Sequence, residues 1–230
     1  MVIAIVPAAG CGRRLDATLK KQYLLLDGVP IVVRTLDVFQ RHPLVDQIFL
    51  VVPHDERAFC QREMVSAHHL TKVVQVVAGG AERQDSVANG LAACMAQADD
   101  IVVIHDGVRP FLSADTLSNA IEAATAYGAA VVGVPVKDTV KEVCEGIICS
   151  TPARERLWLA QTPQAFRAAV LHDAYEQAAR TAVRATDDAS LVELAGYKVH
   201  MVLGSYRNIK ITTPEDLIVA RALLRAEKER

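Results

Sequence analysis

Six short runs of apolar, largely β-branched residues recur along the chain: VIAIVP (2–7), QIFLVVP (47–53), VVQVVAGG (73–80), DIVVIHD (100–106), AAVVGVPV (129–136) and KVHMVLG (198–204). Their cores are continuously apolar instead of alternating, the pattern of strands covered on both faces. Helix-length segments separate them. Pro30 to Gln40 places Ile31, Leu36 and Phe39 among polar residues, Glu82 to Gln97 is rich in alanine, and Ser113 to Tyr127 opens on a capping serine and stops before Gly128. Strands of this kind alternating with helices predict an α/β fold built on a mostly parallel sheet flanked by helices. With 230 residues and no linker, repeat or low-complexity tract, one domain over 1–230 is expected.

One stretch departs from the pattern. DTVKEVCEGII (138–148) alternates around Glu145-Gly146 and reads as a protruding two-stranded hairpin, in which Cys144 faces Ile147 and Cys149 faces Glu142, so that the two thiols do not bridge. An isolated hairpin is marginal in water, so this arm, about 137–156, is expected to pack on a second subunit. The five cysteines (Cys11, Cys60, Cys94, Cys144, Cys149) form no C-x-x-C pair, and the seven histidines have no metal-ligand spacing, which argues against a disulfide framework or a zinc site. Met1 leads directly into a strand and no apolar run approaches the roughly 18 residues of a membrane helix, so a cytoplasmic protein with no membrane partner is expected. A net charge of −2 gives no global basic field for nucleic acid, though a local cationic pocket remains open.

Such a pocket is signalled where the first strand ends. PAAGCGRRL (7–15) lacks the third glycine of a dinucleotide fingerprint, because Leu15 stands in its place, and no G-x-x-x-x-G-K-[ST] loop follows either glycine. What remains is a run of small residues, Ala8, Ala9, Gly10 and Gly12, that lets backbone N–H groups approach a ligand. Arg13, Arg14, Lys20 and Lys21 follow against the single acid Asp16. Amide donors and concentrated cations together suit a polyphosphate.

These residues also carry a resemblance. PAAGCGRR followed by KKQY, then GGAERQDSV (79–87), HDGVRP (105–110), PVKDTV (135–140), LAQTPQAF (159–166), ATDDAS (185–190) and NIKITTPEDL (208–217), resembles the sugar-phosphate nucleotidyltransferases in the form of the 2-C-methyl-D-erythritol 4-phosphate cytidylyltransferase family, in order and over nearly the whole chain. The resemblance implies a Rossmann-like sheet of the nucleotide-diphospho-sugar transferase type, CTP and methylerythritol phosphate as substrates, Mg²⁺ as cofactor, and a homodimer joined through the 137–156 arm. It implies that Arg14, Lys21 and Lys210 stabilise the triphosphate in the transition state. Pro7, Ala8, Ala9, Gly10, Gly12, Gly80, Ala81 and Ser86 would form the nucleotide pocket, although some relatives have an acid at the position of Ala81. Asp106, at a strand end, would hold Mg²⁺ or orient the acceptor. Arg109, Thr139, Arg154, Thr162 and Thr186 would complete the acceptor side, with Thr139 and Arg154 arriving from the other subunit.

Elementary chemistry agrees. A phosphate monoester, with a second pKa of about 6, is already largely a dianion at neutral pH and needs no general base. No Ser-His-Asp or Cys-His arrangement is evident, and the task left is to neutralise two converging polyanions. Blander readings stand beside these. Lys210 could pair with Glu215 or Asp216, Asp106 could simply salt-bridge Arg109, Ser86 could bond a preceding helix carbonyl, and Arg154 could be a solvated arginine. A ribitol-5-phosphate cytidylyltransferase, a non-catalytic nucleotide-binding regulator and a dehydrogenase are the rival functions, separable by acceptor, by pyrophosphate release and by NAD binding respectively.

Overall fold

The computed structural model describes residues 1–10 and 21–229. β1 (Val2–Pro7), β4 (Gln47–Val52), β5 (Val73–Ala78), β6 (Ile101–Ile104), β7 (Ala129–Pro135), β10 (Trp158–Arg167) and β11 (His200–Leu203) form a seven-stranded sheet in the order β11-β7-β10-β6-β1-β4-β5. β1 pairs in parallel with β4 and β6, β4 with β5 and β7 with β11, whereas β10 runs antiparallel between β6 and β7. Alternate residues of β1 feed opposite cores: Ala4 and Val6 pack with α1 (Ile31–Arg41) and α4 (Ala114–Tyr127), and Ile3 and Ile5 with α3 (Arg83–Cys94), α5 (Ala168–Thr181) and α6 (Asp188–Leu194). This double coverage is why the strand runs are continuously apolar.

All six apolar runs form strands. The runs 73–80 and 198–204 are the exceptions in coverage: β5 and β11 are the two edge strands, with Val74 and Gln75 exposed in the first and His200, Met201 and Leu203 in the second. β10 has no apolar run to announce it, since WLAQTPQAFR carries a proline and four polar side chains, and its register shifts between Ala160 and Gln164 around the cis Thr162–Pro163 bond. Short turns of helix, α2 (Arg57–Phe59) continuing into Cys60–Ser66, also pack beneath the sheet edge. A third, smaller core joins Leu26 of β2 (Leu25–Leu26), Ile31 beside β3 (Val29–Pro30), Val108, Phe111, Ile211 and Ala220 of α7 (Pro214–Lys228). It ties the segment after Lys21 to the segment after Lys210.

The hairpin is present as β8 (Glu142–Cys144) and β9 (Ile147–Ser150), with Glu145 and Gly146 at φ 50° and 83° as a primed two-residue turn requires. Cys144 pairs with Ile147 as expected. A bulge between Glu142 and Val143 moves Glu142 opposite Ser150 instead of Cys149, and the free thiol of Cys149 lies beside that of Cys144.

Candidate active site

From β1 the chain builds β4 and β5 on one side, then crosses to β6 on the other, so the strand order reverses between β1 and β6. Open α/β sheets bind ligands beyond the carboxyl ends of the strands at such a point. A cleft of about 230 Å³ lies there, walled by Pro7 to Gly10 after β1, by Gly80 to Arg83 and Ser86 at the start of α3, and by Asp106 and Val108 after β6. Lys21, Gln22 and Lys210 close it. A larger hollow of about 630 Å³ between α3 and α5 mixes small apolar residues, Ala88, Ala92 and Leu91 among them, with polar ones such as His172 and Glu176, and the guanidinium there, Arg184, is paired with Asp85.

Asp106 is the electrostatic centre of the cleft. Its Oδ1 lies 3.3 Å from Arg83 Nε, and its Oδ2 lies 3.4 Å from Arg109 Nε and 2.9 Å from Lys210 Nζ. Burial alone would raise the pKa of this carboxyl, but Lys210, Arg83 and Arg109 overcome it and hold the group well below the ordinary carboxylate range. Three cations thus converge on this one carboxylate. Arg83 reaches further, to Asp188 Oδ2 at 2.8 Å, and Asp188 accepts a 2.6 Å hydrogen bond from Tyr175. Burial works against the Arg83 cation, and Asp188 and Asp106 more than restore it.

A buried hydrogen-bond chain fixes Asp106 from behind. The Asp106 N–H donates to Thr162 Oγ1 at 3.1 Å, the Thr162 hydroxyl donates to His105 Nδ1 at 3.0 Å, and His105 Nε2 donates to the Arg109 carbonyl at 3.0 Å. Desolvation brings the pKa of His105 down to about 4, so the imidazole is neutral and can accept that proton. Gln164 does the same for the neighbouring block. Its Oε1 accepts from the N–H groups of Asp188 and Ala189 and its Nε2 donates to Asp187, linking the T-P-Q and A-T-D-D blocks.

The two other walls are equally built. A capping box between Glu82 and Asp85 opens α3, while Ser86 Oγ accepts from the Gly80 N–H at 3.1 Å and donates to the Glu82 carbonyl at 3.0 Å. Gly79 and Gly80 are obligatory here: a Cβ would stand 2.5 Å from Ala9 Cβ at the first and 2.3 Å from Asp85 Cβ at the second. Lys21 and Gln22 belong to a single helical turn, Lys21–Tyr23, pinned by Tyr23, whose hydroxyl donates to Glu56 at 2.6 Å and whose ring meets Phe59 edge-on.

The structure therefore gathers Pro7, Ala8, Ala9, Gly10, Lys21, Gly80, Ala81, Ser86, Asp106 and Lys210 in one cleft. Arg14 and Gly12 lie outside the described residues. Thr162 is buried behind Asp106, and Arg109 is engaged by Asp106 and the Asn208 carbonyl. Lys210 lies in the loop after β11 and pairs with Asp106, not with Glu215 or Asp216. Thr139, Arg154 and Thr186 are exposed and are not part of the cleft wall within one chain. Arg154 sits at the base of the hairpin with Nη1 donating to the Lys137 carbonyl. Arg83, Gln164 and Asp188 escaped the sequence reading. A cation in the first turn of a helix opposes the helix dipole, and Arg83 in that position is the signal that could have revealed the network.

Solved structures of similar shape include the 4-diphosphocytidyl-2C-methyl-D-erythritol synthase of Anaerococcus prevotii, 33% identical with a TM-score of 0.84 over 97% of this chain and 96% of that one. Another is the 2-C-methyl-D-erythritol 4-phosphate cytidylyltransferase of Thermus thermophilus, 34% identical with a TM-score of 0.80 over 96% and 98%. Among curated sequences, the 2-C-methyl-D-erythritol 4-phosphate cytidylyltransferase of Geobacter metallireducens is 55% identical over 97% of both chains. The family model described by that same name matches residues 2–226. With its cleft at the strand-order reversal and its sequence matched almost end to end, the chain belongs to the 2-C-methyl-D-erythritol 4-phosphate cytidylyltransferase family.

Proposed function

We infer that this chain transfers the cytidylyl group of CTP to 2-C-methyl-D-erythritol 4-phosphate, a nucleotidyl transfer of non-mevalonate isoprenoid synthesis. An acceptor phosphate oxygen forms a bond to the α-phosphorus, the bond from that phosphorus to the β-phosphate bridge oxygen breaks, and its electron pair leaves with pyrophosphate. The observation that carries this reading beyond family membership is the Asp106 cluster, in which three cations surround one carboxylate in the cleft. The acceptor needs no base, so the protein's contribution is to place and neutralise phosphates. Lys210 is the most exposed of the three cations, and it turns from Asp106 to the α-phosphoryl oxygens as charge builds there. Arg83 and Arg109 keep Asp106 ionised and in place. Lys21 and Arg14 grip the triphosphate, and the main chain of Ala8 to Gly10 and Gly80 to Ala81 reads the cytosine edge while their small side chains leave purines no room.

Magnesium fits this site as a companion of the triphosphate. Among the described residues no cluster of three acidic, histidine or cysteine side chains could hold an ion alone, whereas Mg²⁺ characteristically binds one or two carboxylates together with substrate phosphates. Asp106 and Glu82, the carboxylates in the cleft wall, are the groups available to it. When bound, the ion would neutralise phosphate charge alongside the lysines.

The acceptor side is incomplete in one chain, which supports a homodimer. Val143, Ile147 and Ile148 of the hairpin are all more than half exposed, an apolar surface suited to a second copy. Docking there would carry Thr139 and Arg154 toward the partner's cleft, with Arg154 gripping the acceptor phosphate bidentately. No helix among the described residues is long and apolar enough to cross a membrane, and we place the enzyme in the cytoplasm with its small, soluble substrates. A pyrophosphate-release panel of four nucleoside triphosphates against methylerythritol phosphate and ribitol phosphate tests the assignment. CTP with methylerythritol phosphate should be the productive pair, and release only with another pair would overturn the reading.

A further inference from the structure

Three buried glutamines stand out in the molecule, and two of them are fully engaged. Gln161 donates to the Ser205 carbonyl and accepts from Asn208, and Gln164 donates to Asp187 and accepts from two backbone N–H groups. Gln22 differs. Its side chain is 1% exposed, and among the described residues neither Nε2 nor Oε1 has a hydrogen-bond partner. Leaving a buried amide unpaired costs about 1–3 kcal/mol, and native proteins seldom keep one without a use.

Its position supplies the use. Gln22 is the middle residue of the Lys21–Tyr23 turn and contributes to the wall of the cleft beside Lys21. The turn is not free to rotate the amide away: Tyr23 is hydrogen-bonded to Glu56 and to Cys60, Leu24 N–H donates to the Lys21 carbonyl, and Ile31 N–H to the Leu24 carbonyl. A carboxamide held rigidly beside a lysine can donate Nε2–H without adding charge of its own. Lys21 and Lys210 line the same cleft as Gln22, whereas the small residues suited to base and ribose lie after β1 and at the start of α3. We propose that Gln22 is a substrate-binding residue whose carboxamide donates to a phosphate oxygen of the nucleotide's polyphosphate chain, so that the ligand supplies the partner the protein withholds.

This rests on the nucleotidyl-transfer reading and deepens it. A neutral donor next to Lys21 also favours an anion, and it fixes the lateral position of a chain that lysines alone would hold only as point charges.

The test is Gln22→Met, close to the native side chain in length and volume, with Gln22→Leu as a second variant should the first be poorly folded. Calorimetry with Mg²⁺ present would measure binding of CTP and, separately, of inorganic tripolyphosphate. Loss of a hydrogen bond to a charged group should weaken both by about tenfold or more. Thermal unfolding of the ligand-free variant should occur at the wild-type temperature or above it, because the unpaired amide is gone. Unchanged affinity for tripolyphosphate would overturn the proposal, and so would a fall in affinity matched by a fall in ligand-free stability, which would mark a purely structural side chain. If wild-type protein itself bound no CTP, the functional reading would fail instead, so the two failures are distinguishable.

Discussion

Lys210 and Arg83 meet the same carboxylate with different degrees of commitment. Arg83 is shared with the fully buried Asp188, so it is part of the frame, whereas Lys210 is 40% exposed and, among the described residues, forms its ion pair with Asp106. Lys210→Ala should therefore lower kcat by about 10²–10³, the typical loss of one transition-state contact, while the unfolding temperature stays near wild type. A variant retaining a tenth of the activity would remove Lys210 from the chemistry. His105 makes a prediction of the opposite kind, in stability. Its imidazole has a folded pKa of about 4 against 6.5 in the unfolded chain, so between those values the unfolded state binds more protons and stability falls as the pH falls. The shift is worth about 3 kcal/mol across that window. Asp106 is still ionised there, because its three cations keep its titration below the window. Denaturant unfolding from pH 7 to pH 4 should show the loss in wild type and a shallower one in His105→Gln. Equal slopes would mean that His105 is protonated in the fold.

At the scale of elements, the link from β5 into α3 decides how closely two walls of the cleft approach. A methyl group at Gly79 would have to displace Ala9, whose Cβ would be 2.5 Å away, or Ser86, whose Oγ would be 3.0 Å away. Both neighbours line the cleft, on the side proposed to hold the nucleotide. Gly79→Ala should accordingly raise the KM for CTP by an order of magnitude and leave the KM for the acceptor nearly unchanged, and equal effects on both would show the distortion spreading beyond this wall. Elements like this one were readable in the sequence because local chemistry specifies them: continuous apolar runs for doubly covered strands, Ser113 for the α4 cap, Glu145-Gly146 for the hairpin turn. β10 was not readable. It is polar, antiparallel and interrupted at Thr162–Pro163, and it is stabilised by neighbours on both sides, β6 and β7, that lie far away in sequence. The coverage of β5 and β11 follows a related rule, since an apolar run cannot say whether a strand is central or at an edge. In the cleft, Lys21, Asp106 and Lys210 were legible as chemistry, but the Asp106–Arg83–Asp188–Tyr175 relay depends on contacts between residues tens of positions apart, which no local pattern encodes.

For the whole molecule, the proposed division of the site between two chains has the sharpest consequence. Within one chain, Arg154 stands on the hairpin base with its guanidinium 55% exposed, and the cleft that holds Lys21 contains no residue of the arm. If each cleft takes Arg154 from its partner, Lys21→Ala and Arg154→Ala proteins should each be nearly inactive alone, yet complement when unfolded together and refolded as a mixture. Random pairing of equal amounts makes roughly half of the dimers hybrids. In a hybrid, the Lys21→Ala chain's own cleft also receives the defective arm and is doubly impaired. The Arg154→Ala chain's cleft has an intact Lys21 and receives an intact Arg154, so one of its two sites is whole. About a quarter of wild-type activity should therefore return, a ceiling set by symmetry and not by the chemistry of either residue. A self-contained monomer, or a dimer whose arms serve their own clefts, would return nothing, because every cleft would still lack one group. Light scattering on the same mixture separates these cases: recovery requires dimers, and dimers without recovery would place Arg154 in cis.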